Sequence, residues 1–128
     1  MKVKLAVLAT MLLAATSGCA PTTSSTVKGE PRPAYAGDVV VGQGTLPPSV
    51  DYEVVGTVRA KAQSGYDSIE TMFPLLADEA RKIGANAVMS AQGGRRPTAI
   101  SWAAPFAEGT AIWVPNEDQR DKLNGDSY

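Results

Sequence analysis

The chain has 128 residues, a formal net charge of −1 and no histidine, and its single cysteine rules out an intramolecular disulfide. With 12 basic against 13 acidic residues there is no cationic excess to displace counterions, which argues against a nucleic-acid surface. The missing histidines remove the commonest general base, the commonest transition-metal ligand and the usual pH switch together.

Residues 1–18 read as a targeting segment. Lys2 and Lys4 form a short basic region, and Leu5 to Ala15 is an apolar run too short to span a bilayer as a mature helix. Small residues then lead to Cys19. The series Thr16-Ser17-Gly18-Cys19 resembles the lipobox of bacterial lipoproteins, with Thr16 standing where that pattern usually has a large aliphatic residue. The resemblance implies that cleavage precedes Cys19, that its sulfur carries lipid and that its new amino group is acylated. The other reading is an ordinary secretory signal cut after Ala20. A lipidated sulfur accounts for an otherwise unpaired thiol. Two or more acyl chains, at about 0.8 kcal/mol per buried CH₂, hold a protein stably on a membrane. The lipoprotein resemblance further implies, from Ala20 in place of the aspartate that marks inner-membrane retention in that family, the outer membrane with the domain facing the periplasm. Residues 19–37 are rich in Pro, Thr and Ser. They are expected to form a lipidated, disordered tether with a root-mean-square span of about 25 Å.

Val39 to Val41 suits a short edge strand, and Gly42-Gln43-Gly44 a turn. A phosphate loop is disfavoured there, because the third glycine is missing and Pro47-Pro48 follow where a helix would have to begin. Asp51 to Ala62 alternates, with Tyr52, Val54, Gly56, Val58 and Ala60 predicted on one face and Glu53, Val55, Thr57, Arg59 and Lys61 on the other. Gly56 suits a close backbone approach.

From Asp67 the spacing predicts a helix with Ile69, Met72, Phe73, Leu76, Ala80 and Ile83 on one stripe. Asp67 and Glu70 have the form of a capping box, Asp78 and Lys82 stand at i,i+4, and Arg81 and Lys82 suit the last turn. Gly84 supplies the stop. Pro74 implies either a bend, the arrangement favoured here, or a short first turn ahead of a main helix. Ala87 to Ala91 reads as a strand. Gly93 to Pro97 is a polar break, and Thr98 to Trp102 is a short strand or part of a hairpin arm that Pro105 interrupts. Thr110 to Val114 is the last strand. Residues 116–128 are charged and are expected to be a flexible tail with a little helix near Asp118 to Leu123.

The expected fold over residues 38–115 is α+β. It has two layers, a mixed sheet of three or four strands and one helix on one face, in the order β-β-α-β-β. Tyr52-Glu53-Val54-Val55-Gly56-Thr57-Val58 and Ala80-Arg81-Lys82-Ile83-Gly84-Ala85-Asn86-Ala87-Val88 resemble a family of small bacterial envelope proteins. Its remoter relatives include the Rcs stress-sensor outer-membrane lipoprotein and a cytoplasmic oligomeric family often labelled heavy-metal binding. The segment Trp102 to Ala111 resembles proteobacterial outer-membrane lipoproteins more specifically. The Rcs sensor carries disulfides, which this chain cannot form, and no metal-ligating residues carry over.

Function is thereby expected to be non-enzymatic, that of an outer-membrane lipoprotein whose domain binds another envelope component, with no cofactor or metal. Arg95, Arg96, Trp102 and Phe106 form the candidate contact patch. Its arginines would meet carboxylates or phosphates of an envelope protein, peptidoglycan or lipopolysaccharide, and Trp102 would anchor. The plainer alternative is a solvated loop with Trp102 and Phe106 capping the core. Asp67, Glu70, Asp78 and Glu79 read as a cap and a wet helix face. Ser64, Ser68 and Ser101 lack a histidine to activate them. A sensor of the Rcs type, and an enzyme acting on cell wall or lipid, are the other two readings.

Overall fold

The computed structural model describes residues 21–65 and 68–128. The targeting segment, Cys19 and the Asp67 half of the expected capping box lie outside them. The strands are β1 (Thr22–Val27), β2 (Val40–Val41), β3 (Glu53–Lys61), β4 (Ala87–Arg96), β5 (Ala104–Trp113) and β6 (Asp126–Ser127). They form one mixed sheet in the order β1-β3-β5-β4-β2-β6, larger than the three or four strands expected. A 3₁₀ turn (Ile69–Met72) leads into the main helix α1 (Phe73–Lys82), and α2 (Glu117–Asp121) follows β5. The expected β-β-α-β-β series is present as β2, β3, α1, β4 and β5. β5 is antiparallel to both neighbours, so β3 and β4 run parallel with β5 between them.

Pro74 sits in the first turn of α1, where its missing N–H has no intrahelical acceptor to lose. The bend is therefore unnecessary, and the short-first-turn arrangement holds. Met72, Phe73, Leu76, Ala80 and Ile83 are all buried, Leu76 completely. They meet Val55, Val58 and Ala60 of β3, Val88 and Ala91 of β4, and Ala107 and Ala111 of β5. Gly84 ends the helix at φ +84°, a conformation that costs other residues, and the Ala85 N–H returns to the Ala80 carbonyl at 2.9 Å.

The alternation of β3 fails at one point. Val54 pairs with Ile112 and Gly56 with Ala111, so Val55 is an extra residue in a β-bulge. Tyr52 and Val54 consequently pack in a second cluster on the far face with Val40, Ala87, Met89, Ile112, Val114 and Leu123. Val55, Val58 and Ala60 face α1. A second irregularity in β4, between Met89 and Gln92, puts Ser90 at φ 54°. The Ser90 and Ala91 N–H groups turn to the carbonyls of Gly44 and Gly42, at 2.7 and 2.9 Å. The Gly42–Gly44 turn thus receives a bulge.

Both segments expected to be loose are ordered over their described residues. Thr22–Val27 pairs residue by residue with Gly56–Lys61, and its backbone ladder supplies what its side chains lack in apolar area. A Cβ at Gly56 would collide with the Thr26 carbonyl oxygen, so this glycine permits β1 to close on β3. The rest of the expected tether is tied at Tyr35, whose N–H meets the Arg81 carbonyl at 2.9 Å and whose ring stands edge-on to Trp113. At the other terminus, Asn116 caps α2 by accepting from the Gln119 N–H. Leu123 enters the second cluster. Asp126–Ser127 flanks β2, and Tyr128 exchanges two backbone bonds with Val39 at 3.0 Å. β2 is accordingly an inner strand, parallel to β4 on one side and antiparallel to β6 on the other.

Pro105 does not interrupt β5. Its carbonyl accepts from the Ala62 N–H at 2.9 Å, on the side where β3 has already ended at Lys61. Its missing donor faces that same side, so the ladder to β4 is untouched and the one bond forgone is the return to the Ala62 carbonyl at the strand's end. Asn86 does more than turn the chain. It is 3% exposed; its side-chain amide donates to the Val114 carbonyl and accepts from the Val114 N–H, both at 2.8 Å. This amide closes the ladder where the strands give out.

Asn86→Ala strands both Val114 groups in a buried place, at about 1–3 kcal/mol each. Equilibrium urea unfolding should show a loss on the order of 3 kcal/mol with an unchanged slope. A variant that unfolds at the wild-type midpoint contradicts this role.

Candidate functional site: the uncovered half of the sheet

One face of the sheet is covered by α1. On the other face, Leu123, just past α2, and the loop from Leu46 to Tyr52 cover the second cluster. Among the described residues, the remainder, formed by β1, β3, β5 and the C-terminal half of β4, carries no second layer. Residues directly opposite in register share a face, which arranges its side chains in rows. Thr26, Thr57 and Thr110 form one row. Ser24, Arg59, Glu108 and Gln92 form the next, and Thr22, Lys61, Phe106 and Gly94 the third. Arg59 Nε meets Glu108 Oε2 at 3.0 Å. This pair is largely solvated, so it orients the row more than it stabilises the fold. Arg59, Lys61, Arg96, Phe106 and Glu108 line one shallow hollow, and Thr57, Arg59, Ser90, Gln92, Glu108 and Thr110 line the adjoining one. Three cations and one carboxylate around a half-buried ring make a surface suited to polar, anionic matter.

The structure divides the expected contact patch. Arg95 and Arg96 are consecutive in β4, so they project to opposite faces. Arg96 joins Phe106 in the hollow. Arg95 pairs in register with buried Pro105 on the α1 side and donates to the Ala103 carbonyl at 3.0 Å. Trp102 caps no core: it is 93% exposed, at the tip of the β4–β5 hairpin. In sequence, Gly93 to Pro97 reads as a polar break, and a loop carries no facing rule. Alternation puts Arg59 and Lys61 on one face of β3, but their junction with Arg96 follows only from the register, which passes from β3 to β4 through β5.

The acidic residues on the helix divide as well. Asp78 bonds Arg81 at 2.5 Å, and Lys82 bonds Glu79 at 2.8 Å, so the expected Asp78–Lys82 pair is replaced by two i,i+3 pairs. Glu79 lies on no wet face. It is 6% exposed, because β1 extends the sheet beneath it. Thr23 Oγ1 donates to its Oε1 at 2.5 Å. Burial alone pushes its carboxyl upward, but the Lys82 ammonium and the hydroxyls of Thr23 and Ser25 outweigh burial and hold it below the usual value. A carboxylate so engaged stays ionised and clamps β1 to α1. It is poorly placed to exchange protons with a substrate.

Among the described residues no group of three or more Asp, Glu, His or Cys side chains converges as a metal site, and no helix is long and apolar enough to cross a membrane. Comparison with protein-family models, curated proteins and solved structures returned no match.

The lowered Glu79 carboxyl sets a sign for acid sensitivity. Its contribution to stability is present above the ordinary value of 4.5 and is lost as pH falls through the lower folded value. Wild type should therefore lose stability more steeply than Glu79→Gln between about pH 5 and pH 3. Parallel stability curves for the two proteins would show that Glu79 does not clamp β1.

Proposed function

We propose that this chain is a lipid-anchored protein of the bacterial outer membrane, facing the periplasm, whose domain binds another envelope component without catalysing a reaction. Cys19, at the end of a segment resembling a lipobox, is the lipidated residue. The observation that carries the binding role is the bare half of the sheet. A two-layer domain of this size gains most by covering its sheet, yet here three rows of polar side chains face outward around Phe106. Arg59, Lys61 and Arg96 favour a partner bearing carboxylates or phosphates, whether an envelope protein, peptidoglycan or lipopolysaccharide. The rows are flat and open, which suits recognition of an extended surface better than enclosure of a small substrate.

A photoreactive residue placed at Thr57 or Gln92 in living cells tests this reading. A discrete crosslinked species is expected from both positions, lost when Arg59 and Arg96 are replaced by glutamate. Labelling no different from that of an exposed position on α1, such as Asp78, would contradict it.

A further inference from the structure

The β4–β5 hairpin carries an apolar tip that the binding face does not use. Residues 97–103, Pro-Thr-Ala-Ile-Ser-Trp-Ala, contain no charge. Ile100 is 60% exposed and Trp102 93%, the two most exposed large apolar side chains among the described residues. The tip is braced from within. Thr98 Oγ1 donates to the Gln63 carbonyl at 2.5 Å and accepts from the N–H groups of Ser101 and Ile100, at 3.0 and 3.3 Å. The Thr98 N–H bonds the Ser101 carbonyl at 2.6 Å, and the Ala103 N–H bonds Ser101 Oγ at 3.3 Å. Four backbone donors of the tip are thus satisfied without water. That lowers the cost of taking irregular backbone out of water, since each unpaired donor costs several kcal/mol.

Topology sets where the tip lies relative to the N-terminus. Thr22 pairs with Lys61, Lys61 with Phe106, and Phe106 with Gly94. The start of β1 and the hairpin tip therefore stand at the same end of the sheet. β1 and β5 are two strands apart, about 10 Å. Cys19 precedes Thr22 by three residues, so covalent reach alone keeps it within about 11 Å of the strand. Lys61, Arg95 and Arg96 stand in the last registers before the tip.

We infer that Ile100 and Trp102 form a membrane-interface wedge, seated in the same phospholipid leaflet as the acyl chains on Cys19. Trp102 sits at headgroup depth, where an amphipathic indole is favoured. Arg95, on the α1 side of the last registers and outside the binding face, lies behind it at the level of lipid phosphates. The domain then rests on the membrane by two points instead of swinging on a tether, and the sheet stands end-on to the leaflet with its bare face open to the periplasm. The second point rests on the lipoprotein reading; the wedge itself does not.

The full chain, expressed in a bacterial envelope and extracted in detergent, is reconstituted with phosphatidylethanolamine–phosphatidylglycerol vesicles whose acyl chains are brominated. Emission of Trp102→Phe is subtracted from that of wild type, isolating Trp102 from Trp113, while intact mass reports Cys19 separately. The wedge predicts a difference emission shifted to shorter wavelength and mostly quenched by the brominated chains. A lipidated chain whose Trp102 emission stays water-like and unquenched overturns the wedge and leaves the anchor standing. Quenching with an unmodified Cys19 supports the wedge and removes the anchor. An unmodified chain without quenching overturns both. A protein adduct from a photoreactive residue at Ile100, with no quenching, assigns the tip to a protein partner and likewise overturns the wedge.

Discussion

The antiparallel ladder between Thr22–Val27 and Gly56–Lys61 is the constraint on which the rest of the molecule depends. It binds a segment whose composition suits solvent into the sheet through backbone groups, with Thr23 and Ser25 turned toward Glu79 on α1. With β1 in place, Glu79 is buried and ionised. The sheet also gains a fourth strand for its bare face, and Ser24 and Thr26 extend the rows built on Arg59 and Thr57. Without β1, the carboxylate would be solvated, the face narrower, and Cys19 separated from the body by a free chain. One ladder therefore couples the stability of the fold to the distance between the expected anchor and the domain.

The two faces of the sheet answer different demands. Under α1 the contacts are made by small and branched residues, and alanines at 60, 80, 91, 107 and 111 let helix and strands approach closely. On the far face the chain changes its pattern at two bulges. The one at Val55 sends Tyr52 and Val54 to the second cluster, and the one near Ser90 ends that cluster at Met89. Beyond these points the far face becomes polar. The bulges mark the line between the half covered by Leu123 with the loop from Leu46 to Tyr52 and the half left open.

The parts of this fold legible in the sequence are those governed by local rules. The stripe from Met72 to Ile83, the stop at Gly84 and the strand from Ala87 follow from spacing and backbone conformation. What local rules miss depends on partners remote in the chain. β1 has no apolar period because its stabilisation comes from β3. β6 and Tyr128 are held by β2 and Val39. Pro105 reads as a break, yet is tolerated because β3 ends beside it. A single extra residue, Val55, reverses a facing pattern that alternation alone would carry through. The candidate site shows the same limit. Arg96 and Phe106 belong together, but Arg95 and Trp102 leave their company once strand facing and hairpin length are known. Lys61 and Arg59 join them only through register.

The fold meets the proposed anchor at the end of the sheet where β1 begins. Amide hydrogen exchange of the full chain, followed by mass spectrometry of the peptides spanning Pro21 to Lys28, measures that junction directly. The account predicts protection of the Thr22–Val27 amides on the scale of β3. Exchange there at the rate of an unstructured peptide, with β3 still protected, would contradict it and return residues 19–37 to a free tether.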